Sequence, residues 1–153
     1  MVRRPLLAVR RLLCILLLAS GVFGPVHSAS ESVVLVVRAD SPVKDLSSVE
    51  VRKLFLGVPV LIEGRLLHAI RNRSDPRLDD IFLQQIVTMS QEAYDRQILV
   101  GLNRQGWVRP AEVGSVARVI EDLYADPQAV SYLWLRDVEH NPRLKVLRTL
   151  WGE

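Results

Sequence analysis

The chain has 153 residues, 49% hydrophobic and 24% charged, with 20 basic residues against 17 acidic. That length suits one compact domain rather than two large lobes, and the composition excludes a disordered or low-complexity chain. The formal charge of +3 invites a nucleic-acid partner only until the position of the arginines is considered.

Arg3, Arg4, Arg10 and Arg11 precede an apolar run from Leu12 to Ala19, continued by Gly21, Val22 and Phe23. Gly24 and Pro25 break the run, and the small residues Ser28, Ala29 and Ser30 follow. This order of basic, apolar and small residues is that of a secretory signal peptide over residues 1–28. An uncleaved anchor helix is the alternative, but the apolar core falls short of the ~20 residues that span a bilayer. Cleavage after Ser28 leaves Ala29–Glu153 as a single domain; cleavage after Ser30 is the second choice. Cys14 lies inside the apolar run and leaves with it. Removal of four arginines leaves 16 basic residues against 17 acidic. The exported chain then has no electrostatic drive toward nucleic acid or an anionic membrane. It also has no cysteine for a disulfide or a thiol nucleophile.

Ser32–Arg38 is a continuous β-branched run, the pattern of a strand buried on both faces of a mainly parallel sheet. Asp40, Ser41 and Pro42 form a turn. Ser47 and Glu50 make a capping box for a helix with Val51, Leu54 and Phe55 on its apolar side, stopping at Gly57. Glu63-Gly64 is a turn before a second strand, Leu66–Ile70. Pro76 opens a helix with Leu78, Ile81, Phe82, Ile86 and Met89 inward, and another runs from Ser90 to about Leu102. A polar loop follows from Asn103 to Pro110. Val113–Tyr124 is predicted helical, Ala129–Leu135 a strand and Leu144–Leu147 a further strand. Strands alternating with helices predict an α/β fold, a mainly parallel sheet flanked by helices.

Candidate chemistry is sparse. His68 and His140 have no carboxylates at metal-ligand spacing, so neither a metal nor a cofactor is implied. Asp79 and Asp80 point to different sides of their helix and suit its positive N-terminus better than a catalytic pair. No nucleophile elbow, phosphate loop or zinc-protease motif occurs, which argues against an enzyme. One constellation has a physical rationale: Arg71-Asn72-Arg73-Ser74 at a strand-to-helix junction. Ligands of open α/β sheets bind beyond the carboxyl ends of strands. A helix N-terminus and two forked arginine side chains there favour a phosphate, sulfate or carboxylate. The same residues also fit a solvated loop in which Ser74 or Asp75 caps the helix and Pro76 is its first residue.

The order of these features resembles the substrate-binding proteins of phosphate ABC transporters, in a short single-domain form. The matching residues are a Val-rich strand ending in Asp40-Ser41-Pro42-Val43, then Leu46-Ser47-Ser48 opening a helix that ends Leu54-Phe55-Leu56-Gly57. A strand ending at Arg71 follows, with Ser74 three residues on and Phe82 in the next helix. The last segment is Asp126-Pro127-Gln128-Ala129-Val130-Ser131-Tyr132. The resemblance implies a reduced type 2 periplasmic-binding-protein fold. It also implies an exported, periplasmic solute-binding protein for phosphate or a similar oxyanion, serving an inner-membrane transporter or a membrane receptor. Arg71, Asn72, Arg73, Ser74 and Ser41 are its implied ligand residues, and Trp107 would lie near the cleft opening or pack over the domain edge. Asp75 and Pro76 stand where the family has glycine and threonine, and Ser131 where it has glycine. Asp75 would repel a doubly charged anion unless it accepts a proton from the ligand. These departures favour the other reading, an interaction protein that keeps the fold without the ligand.

Overall fold

A computed structural model describes residues 31–104 and 106–152. The expected signal segment and its cleavage site lie outside the described residues, apart from the chain that follows Ser30. The strands are β1 (Ser32–Arg38), β2 (Leu61–Ile62), β3 (Arg65–Leu66), β4 (His68–Asn72), β5 (Ala111–Val113), β6 (Ala129–Trp134) and β7 (Leu144–Gly152). The helices are α1 (Ser48–Phe55), α2 (Pro76–Ile81), α3 (Gln91–Arg104), α4 (Val116–Ala125) and α5 (Leu135–Val138), with a π-helical segment at Phe82–Val87.

The central sheet has the order β5-β4-β6-β1-β7. β4 is parallel to β5 and β6, whereas β1 is antiparallel to both β6 and β7. Four strands therefore share one direction, and β1 alone is reversed. The expected α/β sheet flanked by helices is present, but β1, taken for one of its parallel strands, is the exception. A buried β-branched run specifies burial on two faces and says nothing of direction. Alternation along β1 supplies both faces. Val33, Leu35 and Val37 pack with α1, α2, the π segment and α3. Val34 and Val36 pack with α4 and α5. The result is a sheet between two helical layers.

The capping box forms as predicted: Ser47 Oγ accepts from the Glu50 amide at 3.3 Å, and Glu50 Oε2 accepts from the Ser47 amide at 2.8 Å. Several boundaries differ from expectation. Leu66 pairs with Leu61 in a small hairpin, and the following strand begins at His68 and runs on through Arg71 and Asn72. The helix expected through Met89 widens into the π segment, which turns Phe82, Ile86 and Val87 all inward, and it ends at Thr88 with φ 54°. Residues 111–113 form an edge strand, not the start of a helix. The helix begins at Val116, where Ser115 Oγ accepts from the Arg118 amide at 3.2 Å. α5 has no counterpart in the sequence reading, and β7 continues to Gly152.

Gly57 ends the first helical unit at φ +83°, and a Cβ there would lie 2.7 Å from the Val108 carbonyl oxygen. Gly64, at φ +75°, has nothing within 4 Å of such a Cβ. Backbone strain is therefore common to both sites, and collision belongs to Gly57 only. Gly57→Ala should destabilise the fold by about 2 kcal/mol or more and Gly64→Ala by about 1 kcal/mol, because only the first forces two backbones apart. Urea unfolding of the two variants checks the order.

Candidate functional site

Arg71 is the second-to-last residue of β4 but does not face solvent; its side chain is 0% exposed. Its guanidinium lies 4.7 Å from the ring centres of both Phe82 and Tyr94. Nη2 donates to Asp79 Oδ1 and to Gln91 Oε1, each at 2.7 Å, and Nε donates to Asp79 Oδ1 at 3.2 Å. Nη1 stands 3.6 Å from Glu112 Oε1 on β5 and makes no hydrogen bond among the described residues. Burial disfavours the charge on Arg71, but the hydrogen bond and charge of Asp79 hold its pKa above the ordinary arginine value.

Arg73 closes the cluster from the surface, 3.6 Å from Asp79 Oδ2 and 3.2 Å from Glu112 Oε2. Two arginines and two carboxylates thus form a ring without net charge. Beneath it Phe82 stacks on Tyr132 with centres 5.1 Å apart and planes 8° from parallel. The Tyr94 hydroxyl donates to the Phe55 carbonyl at 3.0 Å, and burial pushes its pKa up to about 12. Burial also raises the Tyr132 phenol well above its ordinary value; its hydroxyl donates to the Asn72 carbonyl at 3.0 Å.

The remaining sequence candidates divide. Asn72 is buried, donates from Nδ2 to the Tyr132 carbonyl at 3.1 Å and accepts the Ser74 amide at 3.0 Å. It shapes the turn. Ser74 Oγ is buried and, like Arg71 Nη1, has no hydrogen-bond partner among the described residues. Ser41 is separated from this cluster. Because β1 is antiparallel to β6, its end beyond Arg38 lies where β4 begins, opposite the Arg71 end of the sheet. There the Val43 amide donates to Ser41 Oγ at 3.4 Å, and Lys145 Nζ donates to the Ser41 carbonyl at 3.0 Å.

Asp75 does not face the ring. Oδ1 caps α2 by accepting the Arg77 amide at 2.8 Å, and Oδ2 accepts the Trp134 indole N–H at 3.1 Å. The helix terminus expected to receive an anion is therefore filled by the chain's own carboxylate. Burial raises the Asp75 pKa, but these hydrogen bonds prevail and hold it below the ordinary carboxyl value. Trp107 packs on α3: a Cβ at Gly101 would sit 1.8 Å from its ring. That contact is ten residues along α3 from Gln91, the residue of this helix that reaches Arg71. The sequence reading missed Asp79 and Glu112 as partners of the arginines. Asp79, eight residues beyond Arg71 on the next helix, was visible; Glu112 required the β4–β5 pairing. Among the described residues no group of His, Cys, Asp and Glu is arranged to hold a metal ion.

No protein-family model matches the sequence, and no curated protein matches it. Solved structures do share the fold. One is a protein assigned as a phosphate ABC transporter substrate-binding protein from Clostridium perfringens, with bound phosphate. It is 14% identical at TM-score 0.59, over 78% of this chain and 45% of that one. A possible phosphate binding protein from Planctomyces limnophilus is 12% identical at TM-score 0.54, over 78% and 41%. PstS from Borrelia burgdorferi is 14% identical at TM-score 0.52, over 77% and 47%. The chain thus matches less than half the length of each. At 12–14% identity, what they establish for this chain is the fold.

The ring and its neighbour generate three predictions. Asp79→Asn should destabilise by about 3 kcal/mol, because it leaves the Arg71 charge buried and poorly paired. The double variant Arg71→Met/Asp79→Leu should recover most of that loss, since an apolar pair needs no desolvation of charge. Chemical denaturation of the two variants beside the wild type checks both. For Asp75 the folded carboxyl titrates below the ordinary value of 3.8 that it has in the unfolded chain. Its stabilisation is therefore present above that pH and is lost as the pH falls through the lower folded pKa. Asp75→Asn should flatten the acid limb of the stability curve, measured by thermal unfolding between pH 2 and pH 5.

Proposed function

We propose that this chain is an exported, periplasmic solute-binding module for phosphate or a similar oxyanion. It would deliver to an inner-membrane ABC transporter or report to a membrane receptor. The observation that carries this reading is the pair of buried polar groups without partners, Arg71 Nη1 and Ser74 Oγ, at the same strand end. A buried donor without a partner costs about 1–3 kcal/mol, which a ligand oxygen would return. Entry requires Glu112, on the edge strand β5 and 34% exposed, to swing away from Nη1. Arg73, 44% exposed, would then add a second cation. The fold shared with phosphate-binding structures supports the reading at the level of architecture. Ser41 takes no part in this site, because it lies at the other end of the sheet.

Carboxylates at the ring favour an oxyanion that brings its own proton. Hydrogen phosphate donates to a carboxylate oxygen, whereas sulfate has nothing to donate and meets repulsion. The neutral ring favours a second reading, an interaction protein in which Asp79 and Glu112 have replaced the ligand permanently.

Calorimetric titration with phosphate and sulfate separates the two. Under the first reading phosphate binds, Glu112→Gln strengthens it and Ser74→Ala weakens it about tenfold. Ser74→Ala should leave the melting temperature unchanged or slightly raised, since its hydroxyl bonds nothing among the described residues. Absence of phosphate binding by both wild type and Glu112→Gln establishes the second reading. Export is checked separately: the intact mass of protein from the cell envelope should correspond to a chain starting at Ala29. Among the described residues no helix is long and apolar enough to cross a membrane.

A further inference from the structure

A cavity of about 180 Å³ opens where β4 begins, at the far end of that strand from Arg71. Its walls include Leu54, Pro59, Leu67 and Val108, and His68 and Arg109 also line it. That volume is comparable to the ~150 Å³ that accommodates one benzene ring in a protein interior. Its two polar groups differ in how they are held. His68 Nδ1 is engaged by Asp126 Oδ2 at 2.5 Å, which fixes the ring and leaves Nε2 for a second contact. Arg109 is exposed and forms no ion pair with any described residue. Among the described residues no carboxylate pairs with it, and it stands beside a mainly apolar cavity. The Val108 amide donates to the Gly57 carbonyl at 3.0 Å, so the segment carrying Arg109 is tied to the end of α1. The mouth is held by backbone rather than by long side chains.

We propose that this cavity binds a small monocarboxylate with an apolar body of about six carbons, the body between Leu54 and Val108 and the carboxylate at Arg109 and His68. An apolar body gains by leaving water, and the exposed guanidinium selects a carboxylate over a neutral analogue of the same shape. The site is separate from the oxyanion ring, and its occupant differs in chemistry from a tetrahedral anion.

Benzoate and benzamide are the probes, titrated by calorimetry into the protein as recovered from the cell envelope. Benzoate should bind about tenfold more tightly than benzamide, and Arg109→Gln should remove that difference. Val108→Trp should block both probes by filling the mouth. If that variant does not fold, Arg109→Gln, a change at an exposed residue, decides alone. Saturating phosphate should leave the benzoate affinity unchanged. Equal affinity for the two probes, an unchanged difference in Arg109→Gln, no benzoate binding at about 50 mM, or competition between benzoate and phosphate would each overturn the proposal. The last result would place benzoate at the Arg71 ring instead.

Discussion

The ion pair between Arg71 and Asp79 organises the helical layer on one face of the sheet. It joins the end of β4 to α2, and through Gln91 it reaches the first turn of α3. Phe82 and Tyr94 pack against the guanidinium side by side, their own ring centres 5.4 Å apart, so the charge is removed from water against aromatic surface. An arginine buried to this degree is tolerated only when its donors are used, and the neighbouring carboxylates and amide use all but Nη1. The aromatic cluster below depends on the same arrangement: Phe82 touches Arg71 from the π segment while packing against Phe55, Tyr94 and Tyr132.

That arrangement has a functional cost. A guanidinium already paired with Asp79 attracts an external anion less than a free one, and Arg73 and Glu112 complete a neutral ring. Binding at this strand end therefore has to exchange an internal carboxylate for an external oxyanion. Exchange of this kind favours small, protonated ligands and makes the affinity depend on how easily Glu112 leaves. The two unpartnered groups, Arg71 Nη1 and Ser74 Oγ, are the stabilisation still available to such a ligand.

The direction of β1 governs what can meet at the ring. A β1 parallel to β4 would bring Asp40-Ser41-Pro42 to the Arg71 end of the sheet. Reversed, it sends that turn to the end where β4 begins, and brings its own start toward Trp134 and Trp151. There Glu31 pairs with Arg77 and Arg136, which also stack on the tryptophans. The opposite end is left with the cavity bordered by His68 and Arg109. The two ends of β4 thus carry different chemistry, one a neutral charge ring with an unpartnered donor and the other an exposed arginine beside apolar walls.

Local signals in the sequence determined the α/β class, the buried β1 run, the Ser47–Glu50 capping box, the stop at Gly57 and the Glu63-Gly64 turn. Each depends on residues within a few positions of one another, where steric and hydrogen-bonding rules act without reference to the rest of the chain. The cluster of Arg71, Arg73 and Ser74 was legible as polar chemistry at a strand end for the same reason. Their partners were not. Glu112 reaches Arg71 only because the three-residue edge strand β5 pairs with β4, and so short a strand has no periodicity to read. The removal of Ser41 and the turning of Asp75 toward Trp134 likewise follow from strand order and direction. Those are decided by how layers bury their faces against one another, a condition on the whole chain that no short stretch of residues encodes.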